Sequence, residues 1–376
     1  MILHICNDFS GSTVYKNLFQ ELDGLGISQS VYHPTRDKYR INKNHITFKN
    51  EGSRIHYDYV LNKSIDRIWY RHKIKKIVSA IERKIDLSKI ALIHAHTWYS
   101  DGGAAYILSQ KYGIPYVVSI RNSDVNIFHK FLLHERAFGK KILENAKAVV
   151  TISAAYRKRI LALSSLQKIK VGLNLKLDVI PNGVDPYWIM NAMPFSRRQL
   201  GTAISALYVG KFDSGKNVLS LVRAVVALNA VRAYKIVLNL VGEGGADHKK
   251  IEAFAKRYPD QIILHGKISE KEKLRELFNH ADFFAMPSKG ETFGLVYVEA
   301  MLCGLPVIYT EGEGIDGFYP DTIGTKVRRS SLEEVKLRLD EMVEKYQTRL
   351  IPTKELQNNH NWAKISLLYK DLYEKK

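Results

Sequence analysis

Residues 287–306, PSKGETFGLVYVEAMLCGLP, constrain the fold of this chain more than any other stretch. Ala281 to Met286 precedes it as a short apolar run and reads as a buried strand; Leu305 to Tyr309 follows and reads as another. Between them lie a loop with Gly290 and Glu291, a turn at Phe293 and Gly294, and a run from Leu295 to Cys303 that reads as a helix. A strand, a glycine-bearing turn and a helix start present unpaired backbone N–H groups to an anion, and phosphate is the expected guest.

Two carboxylates frame that helix start. With a helix beginning near Gly294, Glu299 sits about 7 Å along the axis at a rise of ~1.5 Å per residue. That spacing suits a linear molecule with hydroxyls at both ends and phosphates between them. One glutamate reaches a sugar, the other a ribose, and the amides of Phe293, Gly294 and Leu295 hold the diphosphate. The plainer reading is a solvated loop acid and a polar residue on a helix surface.

Similar units recur along the chain. Ile2 to Cys6 is an apolar strand, followed by a turn carrying Gly11 and a helical pattern from Val14 to Leu22. Further strands are expected at residues 90–96, 114–120, 235–243 and 261–268, with a helix at 269–279 capped by Ser269; residues 146–153 and 178–184 complete a first domain, Pro181, Asn182 and Gly183 making a hinge entrance, and residues 206–210 open a second. Residues 65–85 carry Ile74, Ile77, Val78, Ile81 and Ile85 at helical spacing, with Arg67, Arg71, Lys73, Lys75, Lys76, Arg83 and Lys84 on the other faces. Such a basic helix either packs its stripe in a core with a solvated basic face or rests on anionic lipid. His94 and His96 share one face of a strand, but no third ligand stands near them in sequence, so no metal site is expected. Gly210, Gly215 and Lys216 have Walker A spacing, yet Asn217 stands where Ser or Thr would hold magnesium. GEGG at 242–245 lacks the last glycine spacing of a dinucleotide fingerprint.

Taken whole, Gly-Glu-Thr-Phe-Gly-Leu, then Val-Glu-Ala-Met and Cys-Gly-Leu-Pro-Val, resembles the signature of retaining family 4 glycosyltransferases (glycosyl transferases group 1). The resemblance implies an α/β GT-B fold, two Rossmann-like domains facing across a cleft. It divides the chain into an acceptor-binding domain over 1–187, a nucleotide-sugar domain over 188–358, and a last helix over 359–376 that crosses back. It implies that Glu291 contacts the transferred sugar and Glu299 the ribose. The loop with Gly11 approaches donor phosphate or acceptor. Gly210 and Lys211 match the family's Gly-Arg-Leu, so Lys211 and Lys216 would compensate the leaving diphosphate, lysine supplying a point charge where arginine is usual. Gly242 and Ile268 lie near the base. Where relatives carry His-Gly-x-Asp, this chain has Arg121, Asn122 and Asp124. Asp124 keeps the acid, while Arg121 neutralises charge on phosphate or acceptor because a guanidinium cannot act as a base.

The expected reaction is hexosyl transfer with retention from a nucleotide diphosphate sugar, UDP-linked in preference to GDP-linked, to a saccharide or lipid-linked acceptor in surface polysaccharide synthesis. No cofactor is expected. No Asp-x-Asp triplet occurs, so cations and a helix dipole take the place of a metal ion. The alternative is a GT-B nucleotide-sugar epimerase, which needs acid and base groups at the sugar.

Composition narrows the setting. The 376 residues, 45% hydrophobic, suffice for two α/β domains, and two distant cysteines exclude a disulfide scaffold. The formal net charge is +19; residues 1–190 hold 29 Lys and Arg against 15 Asp and Glu, and residues 191–376 hold 28 against 23. This asymmetry suggests an anionic partner, with an anionic membrane surface preferred and nucleic acid not expected. No signal peptide or apolar spanning segment is evident, so the expected location is cytoplasmic, peripheral on the inner face of the cell membrane.

Overall fold

The computed structural model describes residues 1–375 except 63–65, 67, 68, 197 and 198. Ile65 and Arg67 of the expected basic helix lie outside the described residues. The chain forms two compact units: Met1–Ile152, Arg157–Asn182 and Trp362–Lys376 make the first, and Ser153–Tyr156 with Gly183–Asn361 the second. The divisions fall a few residues from the expected 187/188 and 358/359, because sheet pairing in the first unit ends at Val179 and the last helix packs there from Trp362.

The first unit holds β1 (Ile2–Ile5), β2 (Gln29–Thr35), β3 (Arg54–Tyr59), β4 (Leu92–Ala95), β5 (Tyr116–Ile120), β6 (Ala148–Thr151) and β7 (Leu177–Val179). They form one parallel sheet in the order β3-β2-β1-β4-β5-β6-β7. Parallel sheets are covered on both faces, so their strands read as apolar runs; β5, YVVSI, is buried throughout. Neither β2 nor β3 was expected. Gln29, Ser30, His33 and Thr35 break the apolar run of β2, yet all are buried. Tertiary partners reach two of them: Gln29 donates to the Phe19 carbonyl at 2.9 Å, and His33 Nδ1 lies 2.8 Å from the Cys6 carbonyl oxygen.

Helix α1 (Thr13–Gly24) starts where the Ser12 hydroxyl accepts the Val14 N–H. Helix α2 (Tyr70–Lys84) buries Ile74, Ile77, Val78 and Ile81 as expected, but also Lys73, which the sequence placed on a solvated face. Arg71, Lys76 and Lys84 pair with Glu135, Asp66 and Asp58 at 2.8, 3.2 and 2.7 Å. Of the seven expected lipid-facing cations, three are therefore paired inside the unit and Lys73 is buried. Helix α3 (Ser100–Tyr112) lies tight on its neighbours through Gly103, where an added Cβ would stand 2.4 Å from Ile74 Cδ1.

The second unit holds β8 (Ala203–Val209), β9 (Lys235–Val241), β10 (Ile262–Gly266), β11 (Phe283–Ala285), β12 (Val307–Thr310) and β13 (Gly324–Val327), parallel in the order β10-β9-β8-β11-β12-β13. Helix α4 (Leu295–Leu302) follows the Gly294 turn. The helix after β10 spans Lys271–His280 with Glu270 at its N-cap and no side-chain cap bond, so Ser269 is not the cap. That start is exposed, which leaves its N–H groups open to solvent.

Helix α5 (Trp362–Glu374) closes the first unit: Trp362, Ile365, Tyr369, Leu372 and Tyr373 join Leu18, Phe19 and Leu22 of α1 in one core cluster. Ile365 is fully buried there. Ile365→Ala is expected to lower the unfolding free energy by about 2–5 kcal/mol, read by urea denaturation; a change within error would show that α5 packs elsewhere.

Candidate functional site

Both sheets reverse strand order beside their first strand: β1 pairs with β2 and β4, and β8 with β9 and β11. Loops at the carboxyl ends of such strands diverge, which is where open α/β sheets take ligands. In the second unit the diverging loops are Gly210–Lys216 after β8 and Met286–Gly294 after β11.

Those loops are stitched together. The Gly210 N–H donates to the Val241 carbonyl at 2.9 Å, the Gly242 N–H to Gly266 at 2.8 Å, and the Lys289 N–H to Gly215 at 2.8 Å. At Gly242, with φ +147°, an added Cβ would stand 1.9 Å from the Gly210 carbonyl oxygen, so only glycine permits this approach. Ile268 follows the same strand edge, half-buried.

Glu291 is held from several sides. Its N–H donates to the Glu313 carboxylate at 3.0 Å, and its carbonyl accepts the Gly314 N–H at 2.7 Å. The acidic loop 311–317 is thus pinned to Glu291. The Glu291 carboxylate pairs with Lys216 Nζ. The two side chains expected on opposite parts of a donor therefore touch one another. An ammonium has three donors, so Lys216 can hold Glu291 and still bind phosphate. Lys211 is exposed one turn away. Asn217, at φ +56°, is buried and its amide lies 3.3 Å from the Ser330 carbonyl oxygen, which closes the Walker A reading.

Gly294, at φ +78°, is the N-cap of α4, and an added Cβ would stand 2.6 Å from the Tyr297 ring. Phe293 is buried against Phe318 and His360, leaving its backbone as the group at the turn. Glu299 lies inside α4, and its carboxylate has no hydrogen-bond or ion-pair partner among the described residues. Burial, then the charge of Asp185, pushes its carboxyl up to about 7, against a smaller opposing effect of Lys271. Asp185 and Lys271 pair at 2.5 Å. Neither was expected near Glu299; no local pattern announces a partner 86 positions away in sequence.

Gly11, Arg121 and Asp124 belong to the first unit. Gly11 closes a short turn, its N–H donating to the Asp8 carbonyl at 2.9 Å. Asp124 is 1% exposed, and its carboxylate accepts the N–H groups of Trp98, Tyr99 and Arg121 at 2.9, 3.1 and 2.8 Å. Those bonds occupy the acid expected to act on substrate; it positions the Arg121 loop instead. Arg121 reaches into a cavity of about 550 Å³ whose wall includes Asp8, Arg36, Arg40 and Lys73. None of these four stands out for a site in the sequence; the one signal there is the helical phase that Lys73 shares with Tyr70, Ile77 and Ala80.

His94 and His96 have a third neighbour, His4 on β1, and one nitrogen from each lies within 4.8 Å of the others. His94 Nδ1 is 2.7 Å from the Tyr373 hydroxyl and its Nε2 2.9 Å from Ser119 Oγ, while His4 and His96 bond each other at 3.1 Å. Burial holds all three rings neutral. With both nitrogens of His94 engaged, this is a hydrogen-bonded core knot.

The model for Glycosyltransferase Family 4 matches residues 11–188, and that for Glycosyl transferases group 1 matches residues 203–332. An uncharacterized glycosyltransferase of Methanocaldococcus jannaschii is 28% identical over 296 residues, 77% of each chain. A putative teichuronic acid biosynthesis glycosyltransferase of Bacillus subtilis is 26% identical over 61% of this chain and 55% of its own. A D-inositol 3-phosphate glycosyltransferase of an Arthrobacter species is 26% identical over 65% and 60%. The match to the last two spans less than two thirds of their length.

Among solved structures, a sucrose-phosphate synthase from Thermosynechococcus elongatus has a TM-score of 0.72 at 21% identity, covering 99% of this chain and 98% of that one. Anabaena HepE in complex with UDP has a TM-score of 0.68 at 15% identity, covering 98% of both. At these identities the likeness is one of fold. Two family models that between them span most of the sequence, on two reversed parallel sheets, make this chain a member of the group 1 glycosyltransferases of the family 4 type, with the GT-B fold.

Proposed function

We propose that the protein transfers a hexose from a nucleotide diphosphate sugar, UDP-linked in preference to GDP-linked, to a saccharide or lipid-linked acceptor in surface polysaccharide synthesis. The reaction proceeds with retention and without a metal ion. One observation carries this reading: Glu291 and Glu299 flank the start of α4 at the strand reversal of the second sheet, with Lys216 on Glu291. The names of a teichuronic acid relative and of UDP and UDP-glucose complexes of HepE support the polymer and the donor.

The chemistry follows from charge. As the glycosidic bond breaks, the diphosphate gains negative charge, which Lys216, Lys211 and the first N–H groups of α4 stabilise. Glu291, fixed by Glu313, Gly314 and Lys216, holds donor hydroxyls. The unpartnered Glu299 carboxylate accepts the ribose hydroxyls. Gly242 and Ile268 border the base. Association with an anionic membrane surface draws its support from the basic first half and from exposed Lys75 and Arg83 on α2. Equal flotation with neutral and anionic vesicles would remove it.

A thermal screen of UDP-, GDP- and ADP-sugars tests the donor: a bound ligand at a hundred times its Kd stabilises by about 2.7 kcal/mol. Glu291→Gln and Lys216→Met are each expected to lower kcat by roughly 10²–10³-fold with little change in stability; turnover near the wild-type value would refute their roles. Donor consumption without acceptor would identify an epimerase instead.

Glu299 adds a pH signature. Its carboxyl is raised, so without ligand its contribution to stability is lost as pH rises through about 7. Binding runs the other way, because the ionised carboxylate is the better acceptor for two hydroxyls. Affinity for UDP-glucose, whose diphosphate does not titrate in this range, is expected to rise between pH 6 and 8, by about tenfold per 1.4 kcal/mol gained. In Glu299→Gln the affinity should be flat, and calorimetry at several pH values reads both.

A further inference from the structure

The cavity at the reversal of the first sheet has a charge pattern that the donor site does not explain. Four cations line it, Arg36, Arg40, Lys73 and Arg121, against two acids, Asp8 and Asp37. Both acids are engaged by Arg40, each at 3.8 Å. Among the described residues, no carboxylate lies within ion-pair distance of Lys73 or of the Arg121 guanidinium.

The hydrogen-bond partners of these two cations are neutral. Lys73 is 3% exposed and donates to Ser100 Oγ at 2.5 Å. Arg121 reaches the His96 carbonyl and Asn182 Oδ1, both at 3.4 Å, with the Tyr15 ring 5.4 Å away. The acids nearest in space are bound elsewhere: Asp101 to the Asn7 backbone and amide and to Thr97, Asp124 to three backbone N–H groups. Burial and then the charge of Arg36 pull the Lys73 ammonium down to about 8, against smaller opposing effects of Asp101, Asp66 and Asp124, and leave it charged at neutral pH.

A buried lysine and a half-buried arginine facing one cavity are costly unless an anion meets them. The two acids of the cavity wall, Asp8 and Asp37, pair with Arg40 and leave Lys73 and Arg121 without a carboxylate at ion-pair distance among the described residues. We propose that this cavity binds a phosphate group, the dianion that two unpaired cations match, and that the sugar acceptor carries it. The second half of that statement rests on the sugar-transfer reading; the first does not. The phosphate lies against Lys73 and Arg121, with Arg36 and Arg40 on its outer side. Lys73 and Arg121 thereby select acceptors by charge.

Calorimetry on the full chain tests this, with inorganic phosphate titrated in the presence of saturating UDP so that the second unit's phosphate site is filled. Wild-type protein is expected to bind phosphate, Lys73→Met and Arg36→Gln to bind it at least about tenfold more weakly, as loss of a charge-assisted hydrogen bond predicts, and Glu299→Gln to bind it normally. Phosphate binding that neither Lys73→Met nor Arg36→Gln weakens overturns the proposal, as does wild-type protein that binds none. Arg36→Gln, at the cavity wall, keeps the test decisive where Lys73→Met fails to fold.

Competition then separates the sources. Displacement of phosphate by soluble glycerol 3-phosphate alone supports a soluble phosphorylated acceptor, and displacement by phosphatidic acid vesicles supports a lipid-linked one. Failure of both overturns the acceptor assignment. A protein that binds phosphate at Lys73 but no nucleotide sugar would remove the donor reading and leave this site standing.

Discussion

The reversal of strand order beside β1 and again beside β8 is the constraint from which the rest of the molecule follows. A parallel strand can be followed to either side, and where neighbours leave in opposite directions their carboxyl-end loops must part. Asn7, Thr97 and Arg121 occupy the parted loops of the first sheet, and Lys216, Glu291 and the start of α4 those of the second. No side chain chose these positions. The topology made two openings, and the sequence then furnished each with its own chemistry.

The two openings are furnished by opposite rules. In the second unit the charges are largely matched: Lys216 with Glu291 and Lys271 with Asp185. Glu299 has no ion-pair partner among the described residues, which suits neutral hydroxyl donors better than another charge. In the first unit Lys73 and Arg121 are left without carboxylates, although Asp101 and Asp124 lie close by. Those acids are taken by backbone N–H groups, and that choice keeps the cavity positive. A buried carboxylate satisfied by amides fixes loops without neutralising the cations beside it.

Much of this was legible in the sequence because it is local. Apolar runs marked β1, β4, β5, β9, β11 and β12, and the order of glycine, acid and proline around Glu291 marked the donor motif. Strands β2 and β3 stayed hidden because Gln29, His33 and Pro34 contradict the pattern of a buried strand, and their bonds run to Phe19 and Cys6, remote in sequence. Asp124 looked available for chemistry for a similar reason. Nothing in its neighbours reveals that Trp98 and Tyr99 donate to it across 26 and 25 residues.

By itself the sequence determined the class of fold, the family, and the loop–helix unit with two glutamates, since period, turn chemistry and motif are properties of contiguous residues. Only the tertiary structure decided which charges meet. It placed Lys216 on Glu291 across 75 residues, spent Asp124 on backbone amides, and turned Lys73 from an apparently solvated helix face into a cavity wall. Electrostatic partners are set by distances of a few ångströms and by burial, and neither exists until the sheet has brought remote loops together.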